Sequence, residues 1–191
     1  MILYLHGFNS SPASFKARLI RERLAAMGRE AEFLAPALPD RPLAAIAAAE
    51  ALIARHPGAA LVGSSLGGFY ATWLAEHHGL RAVLVNPAVR PFDLLRDYVG
   101  TQKNLHTGRE YEFTAQHVDE LRTLDIAAIT RPQRYFLLAT TGDEVLDYRA
   151  AVALYRGACQ RIVEGGDHGF SDFGSHVDAA IAFCDGTAEP V

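Results

Sequence analysis

The sequence predicts a doubly wound α/β domain, with one mostly parallel sheet of about six strands and helices on both faces. Two observations predict it. Apolar runs rich in β-branched or aromatic residues recur without the alternation of a sheet that has one wet face, and most are separated by segments with helical spacing. Strands that alternate with helices pair in parallel through right-handed crossovers.

The runs at 2–5, 31–34, 59–62, 82–85, 135–139 and 161–163 read as buried strands. Between them, Ile20, Leu24 and Met27 fall at i, i+4, i+7 and stop at Gly28. Pro42, with Asp40 nearby, starts an alanine-rich helix that runs to about Arg55. Tyr148, Val152 and Tyr155 repeat the helical spacing, as do Val177, Ile181 and Cys184. The segment 91–132 breaks the rhythm: it carries Tyr98, Tyr111, Phe113 and a polar, helix-like stretch at 118–124. Its length predicts a cap-like insertion over the carboxyl ends of the strands, where such sheets bind ligands. Residues 185–191 read as a frayed tail.

With 191 residues, half of them hydrophobic, the chain is long enough for one domain spanning 1–191 with a core that needs no staple. A net charge of −4 offers no electrostatic case for nucleic acid. Cys159 and Cys184 are far apart and form no C-x-x-C, so neither a disulfide framework nor a metal site is expected. The apolar run at the start is too short for a signal sequence or a membrane span, and a cytoplasmic protein without stable membrane insertion is expected. Oligomeric state is not legible.

The sharpest chemical signal is LVGSSLGG, residues 61–68. Gly63-x-Ser65-x-Gly67 follows a predicted strand and precedes a helical stretch, the context a nucleophile elbow requires. A serine on so sharp a turn sits in strained backbone, and the flanking glycines, Gly68 included, let strand and helix approach. A serine hydroxyl is a weak nucleophile and needs a base, which in turn needs an orienting acid. His168, in VEGGDHGF after the last predicted strand, is the candidate base. Asp143, in LLATTGDEVLDY, is the candidate acid because it lies nearest the preceding strand's end. Asp147 is its rival but is better placed to cap the next helix, and Glu144 less well; Asp167 reads as solvated.

The order Ser65, Asp143, His168 is the chain order of an α/β-hydrolase triad. His6-Gly7-Phe8 then ends the strand expected beside the elbow strand, so the backbone N–H groups of Leu66 and Phe8 are the candidate oxyanion donors. His6 reads as structural. Gly7, Phe69, Tyr70, Asn86, Tyr98 and Tyr111 are candidates for the substrate pocket, although the aromatic residues among them have plain packing as an alternative.

The stretches YLHGFNSSP, VGSSLGGFYATWLAE, VNPAVRPFDLL, TGDEVLDYR and Glu-Gly-Gly-x-His-x-Phe resemble the YqiA-type esterases, small bacterial α/β-hydrolases, over essentially the whole chain. The resemblance implies a small α/β-hydrolase fold and a serine carboxylesterase acting on short-chain acyl esters, with possible action on acyl-CoA thioesters. It puts nucleophile, acid and base on Ser65, Asp143 and His168, and chemistry by such a set needs no metal or cofactor. A non-catalytic binding protein of the same fold is the alternative from another class, and a peptidase is disfavoured.

Overall fold

The computed structural model describes residues 1–187. Six strands form one sheet: β1 (Ile2–Leu5), β2 (Phe33–Leu34), β3 (Ala60–Ser64), β4 (Ala82–Val85), β7 (Tyr135–Thr140) and β8 (Cys159–Val163). Their order is β2-β1-β3-β4-β7-β8, and every neighbouring pair is parallel. The helices are α1 (Phe15–Ala26), α2 (Pro42–Arg55), α3 (Leu66–His78), α4 (Pro91–Leu95), α5 (Ala115–Thr123), α6 (Tyr148–Leu154) and α7 (Val177–Asp185).

Side chains on a strand alternate between faces, so each strand feeds two cores. Ile2, Tyr4, Val62, Val83, Val85, Phe136 and Leu138 pack against Ile20 and Leu24 of α1 and Val177, Ile181 and Phe183 of α7. Leu3, Leu5, Leu61, Leu84 and Leu137 face the other way, against Ala45, Ile46 and Ile53 of α2 and Phe69, Tyr70 and Leu74 of α3. The central strands β1, β3, β4 and β7 are covered on both faces and have no polar side to show, which explains their apolar runs, whereas the edge strand β8 carries Gln160 and Arg161 and leaves Ile162 exposed.

Local details depart from expectation where a distant residue intervenes. Met27 is 43% exposed and caps α1 instead of joining its buried stripe. Ala31 and Glu32 belong to a 3-10 turn, Glu30–Glu32, that leaves β2 only two residues. Asp40 does not cap α2, since its carboxylate pairs with Arg109. The orphan N–H of Leu43 is instead satisfied by the buried carboxylate of Glu120 in α5, at 3.1 Å. Of the tail expected at 185–191, Asp185 instead closes α7 and pairs with Arg29 at 2.8 Å, and the N–H groups of Gly186 and Thr187 bond back to the carbonyls of Phe183 and Ala182; residues 188–191 lie outside the described residues.

The segment 91–132 contains more than the helix expected of it. Besides α4 and α5 it holds an antiparallel hairpin, β5 (Gly100–Lys103) and β6 (Glu110–Phe113). The hairpin stands over the carboxyl end of β1, where Phe8 packs edge-on against Phe113 with ring centroids 5.2 Å apart. Among the described residues, no helix is long and apolar enough to cross a membrane.

Candidate active site

Ser65 joins β3 to α3 with φ 55° and ψ −121°, a conformation costly for a residue with a Cβ. Close packing around the turn enforces it. A Cβ on Gly67 would overlap the carbonyl of Leu5 in β1, and one on Gly63 would overlap the carbonyl of Gly67. A Cβ on Gly68 would come within 2.7 Å of Pro87. Helix α3 can therefore start directly over the ends of β1 and β3 only because these three positions are bare.

His168 lies in the loop after β8, and its Nε2 is 3.1 Å from Ser65 Oγ. Its Nδ1 is 2.8 Å from Oδ2 and 3.0 Å from Oδ1 of Asp143, in the loop after β7. An ionised carboxylate only accepts, so Nδ1 carries the proton and Nε2 presents its lone pair to the Ser65 hydroxyl. The Asp143 side chain is 2% exposed. Burial alone would raise its pKa, but hydrogen bonds from His168 and from the backbone N–H groups of Leu146 and Val145 outweigh that and hold it below the usual carboxylate value. Asp147 caps α6 by accepting from the N–H of Arg149 at 3.0 Å.

Several residues hold the histidine loop that the sequence did not mark for this work. Glu144 accepts the N–H of His168 at 2.9 Å. Lys16, buried on α1, donates to the carbonyl of Gly169 at 2.6 Å. Asp167 accepts from both the N–H and the hydroxyl of Ser171, so it ties a turn as well as meeting solvent. Gly142 and Gly165 bring the two loops together, with an N–H to carbonyl bond of 2.7 Å.

The backbone N–H groups of Leu66 and Phe8 find no acceptor among the described residues. Gly7 packs directly on Ser65, where a Cβ would lie 3.2 Å from that of the serine. His6 is buried; its Nε2 accepts the N–H of Leu38 at 3.2 Å, so its Nδ1 donates to the carbonyl of Gly7 at 3.0 Å. Burial lowers the His6 pKa, consistent with a neutral ring that serves to pin the loop.

Ser65 and His168 open into an apolar groove of about 290 Å³ lined by Leu94, Leu95, Tyr98, Leu105, Val145 and Leu146, with Phe8 and Leu66 beside the serine. Of the residues proposed for the pocket, Tyr98 lines this groove. Gly7, Tyr70 and Tyr111 border a smaller polar pocket behind the Phe8 loop. Phe69, on α3 itself, is buried in the core and is not among the residues that line the groove. Asn86 is a correction: it is buried beneath the histidine loop, where its amide donates to the carbonyls of Asp167 and His168. The aliphatic lining went unmarked because residues such as Leu94 and Val145 look like ordinary helix and turn residues until the fold turns them toward one place.

A model of the uncharacterised protein family UPF0227, the YqiA family of esterase-like proteins, matches residues 1–185. The chain belongs to this family. Solved structures similar to this UPF0227 member share its fold at low identity. Mouse alpha/beta hydrolase domain-containing protein 10 superposes with a TM-score of 0.72 at 14% identity, over 94% of this chain and 88% of that one. Est1E of Butyrivibrio proteoclasticus, solved with ferulic acid bound, gives 0.69 at 13% identity, over 97% and 88%. An esterase domain from Rhodothermus marinus gives 0.63 at 18% identity, over 97% and 84%. The UPF0227 chain thus has the α/β-hydrolase fold. Among its described residues, no three or more His, Cys, Asp or Glu side chains are grouped to hold a metal ion.

Proposed function

We propose that this UPF0227 protein is a serine carboxylesterase that hydrolyses esters of short apolar acyl groups. The observation that carries the reading is the continuous line of hydrogen bonds from Ser65 through His168 to Asp143, groups remote in sequence that meet at the mouth of an apolar groove. Ser65 Oγ attacks the ester carbonyl carbon while His168 Nε2 takes its proton. The N–H groups of Leu66 and Phe8 receive the oxyanion, and the N-terminus of α3 adds positive potential. Collapse breaks the carbon–oxygen bond, and His168 gives its proton to the departing alcohol. Water then attacks the acyl-enzyme, loses a proton to His168, and Ser65 recovers that proton as the acid leaves.

An acyl thioester would pass through the same steps with a thiol as leaving group, so comparison of butyryl ester, acyl-CoA and amide substrates ranks these activities. Ser65→Ala should lower kcat for p-nitrophenyl butyrate by about 10⁴-fold or more, because the members of such a unit fail together. Near-normal turnover by that variant refutes the reading. A non-catalytic binding protein would leave Ser65 unactivated; labelling of the wild-type serine by a fluorophosphonate separates that possibility from an esterase.

A further inference from the structure

We infer that Asn9 is a positioning residue through which the β5–β6 hairpin sets the oxyanion donor of Phe8, an inference that rests on the esterase reading above. Asn9 follows Phe8 directly and holds a left-handed backbone at φ 54°. Its own side chain and carbonyl are occupied by the hairpin. The Tyr111 hydroxyl donates to Asn9 Oδ1 at 2.7 Å, Asn9 Nδ2 donates to Gln102 Oε1 at 3.2 Å, and the N–H of Leu105 donates to the Asn9 carbonyl at 2.9 Å. A further bond runs from Asn104 Nδ2 to the carbonyl of Ser10 at 2.8 Å.

The other side of the loop is held as well. Ser10 N–H closes a turn onto the carbonyl of Gly7 at 3.3 Å, which also accepts from His6, and the Phe8 ring lies between Phe113 and Tyr98. The peptide between Gly7 and Phe8 is thus clamped from the sheet below and the hairpin above. Asn is one of the few residues other than glycine that tolerates this backbone, and its amide offers one donor and one acceptor to the two hairpin partners. An oxyanion hole stabilises charge only when its donors are fixed before the charge develops. The hairpin therefore belongs to the transition-state machinery as well as to the wall of the groove.

Asn9 also borders the groove, so the decisive variant is Tyr111→Phe, which removes one hydroxyl on the far side of the loop. With p-nitrophenyl butyrate, Tyr111→Phe should lower kcat about 5- to 10-fold and Asn9→Gly, which keeps the backbone and loses the amide, about 30- to 100-fold, each with KM within twofold. The double variant should be no slower than Asn9→Gly, since both changes release the same loop. Inhibition by a trifluoromethyl ketone, whose serine adduct carries an oxyanion, should weaken in step with kcat. Gln102→Ala repeats the test from the other partner if Tyr111→Phe fails to fold. A change in KM alone, or kcat and inhibitor affinity within twofold of wild type, overturns the inference. If Ser65→Ala is inactive while Tyr111→Phe and Gln102→Ala behave as wild type, only the brace fails; an active Ser65→Ala removes the esterase reading and the brace with it.

Discussion

The side-chain amide of Asn86 donates to the backbone carbonyl of His168 at 3.1 Å. The same amide reaches the Asp167 carbonyl, and its oxygen accepts the N–H of Thr140, so one buried side chain at the end of β4 ties the end of β7 to the histidine loop. Asn86→Ala leaves those groups unpaired in the interior. It should cost about 2–3 kcal/mol of stability and lower Tm by about 5–10 °C, and kcat should fall while KM stays near wild type. Thermal unfolding together with Michaelis kinetics checks it; a large KM increase with kcat intact would make Asn86 a substrate ligand after all.

Gly67 and Gly165 should respond very differently to alanine. At Gly67 the added methyl would collide with the backbone of β1, which cannot move without disrupting the sheet, so Gly67→Ala should cost at least about 3 kcal/mol or abolish soluble expression. Gly165 has open space around it and only a φ of +72° to accommodate, so Gly165→Ala should cost about 1 kcal/mol. Chemical denaturation of the two variants measures the contrast, and equal costs would contradict the packing.

Lys16 predicts an unusual dependence on pH. Burial lowers its pKa to about 8, against partial compensation by Asp167 and Asp143. Between about pH 8 and the ordinary lysine value near 10.4, the unfolded chain holds a proton that the folded chain has released, so this residue's contribution makes the fold more stable as pH rises through that window. Below pH 8 the buried ammonium costs stability. Lys16→Met should therefore be more stable than wild type at pH 7, by about 2 kcal/mol once the lost bond to Gly169 is subtracted. That advantage should vanish near pH 10. Calorimetry of both proteins across this range gives the answer, and an advantage that grew with pH would show the sign to be wrong.

The groove should read acyl length. Its volume of about 290 Å³ has room for roughly ten groups the size of a water molecule or methylene. Each methylene buried is worth about 0.8 kcal/mol, or roughly fourfold, so kcat/KM should climb from acetyl through butyryl to hexanoyl p-nitrophenyl esters and level off when the groove is full. Leu95→Trp should move that plateau to shorter chains. A flat profile from acetyl to hexanoyl would show that the acyl group lies elsewhere.

Hydrophobic period and glycine spacing are local properties of a chain, and they sufficed for the doubly wound sheet and for the sharp turn at Ser65; the chain order of Ser65, Asp143 and His168 singled out three candidate groups, but only the tertiary structure brings them within hydrogen-bond reach of one another. The elements most clearly visible were those buried on both sides, because every residue of such a strand has to be apolar. The hairpin was obscure for the opposite reason: Gly100–Lys103 and Glu110–Phe113 are short and mostly solvated, and only Tyr111-x-Phe113 hints at alternation. Which side chains line the groove was decided by tertiary packing alone. Leu94, Leu105 and Val145 come from three separate elements, and nothing in their own neighbourhoods distinguishes them from other apolar residues near a surface. Asn86 was misread on the same grounds, since a polar residue at a strand end has the same local appearance whether it faces a substrate or a buried backbone. Sequence carries what each residue can do, whereas direction and company come from contacts across the whole chain, whose energies no short window contains.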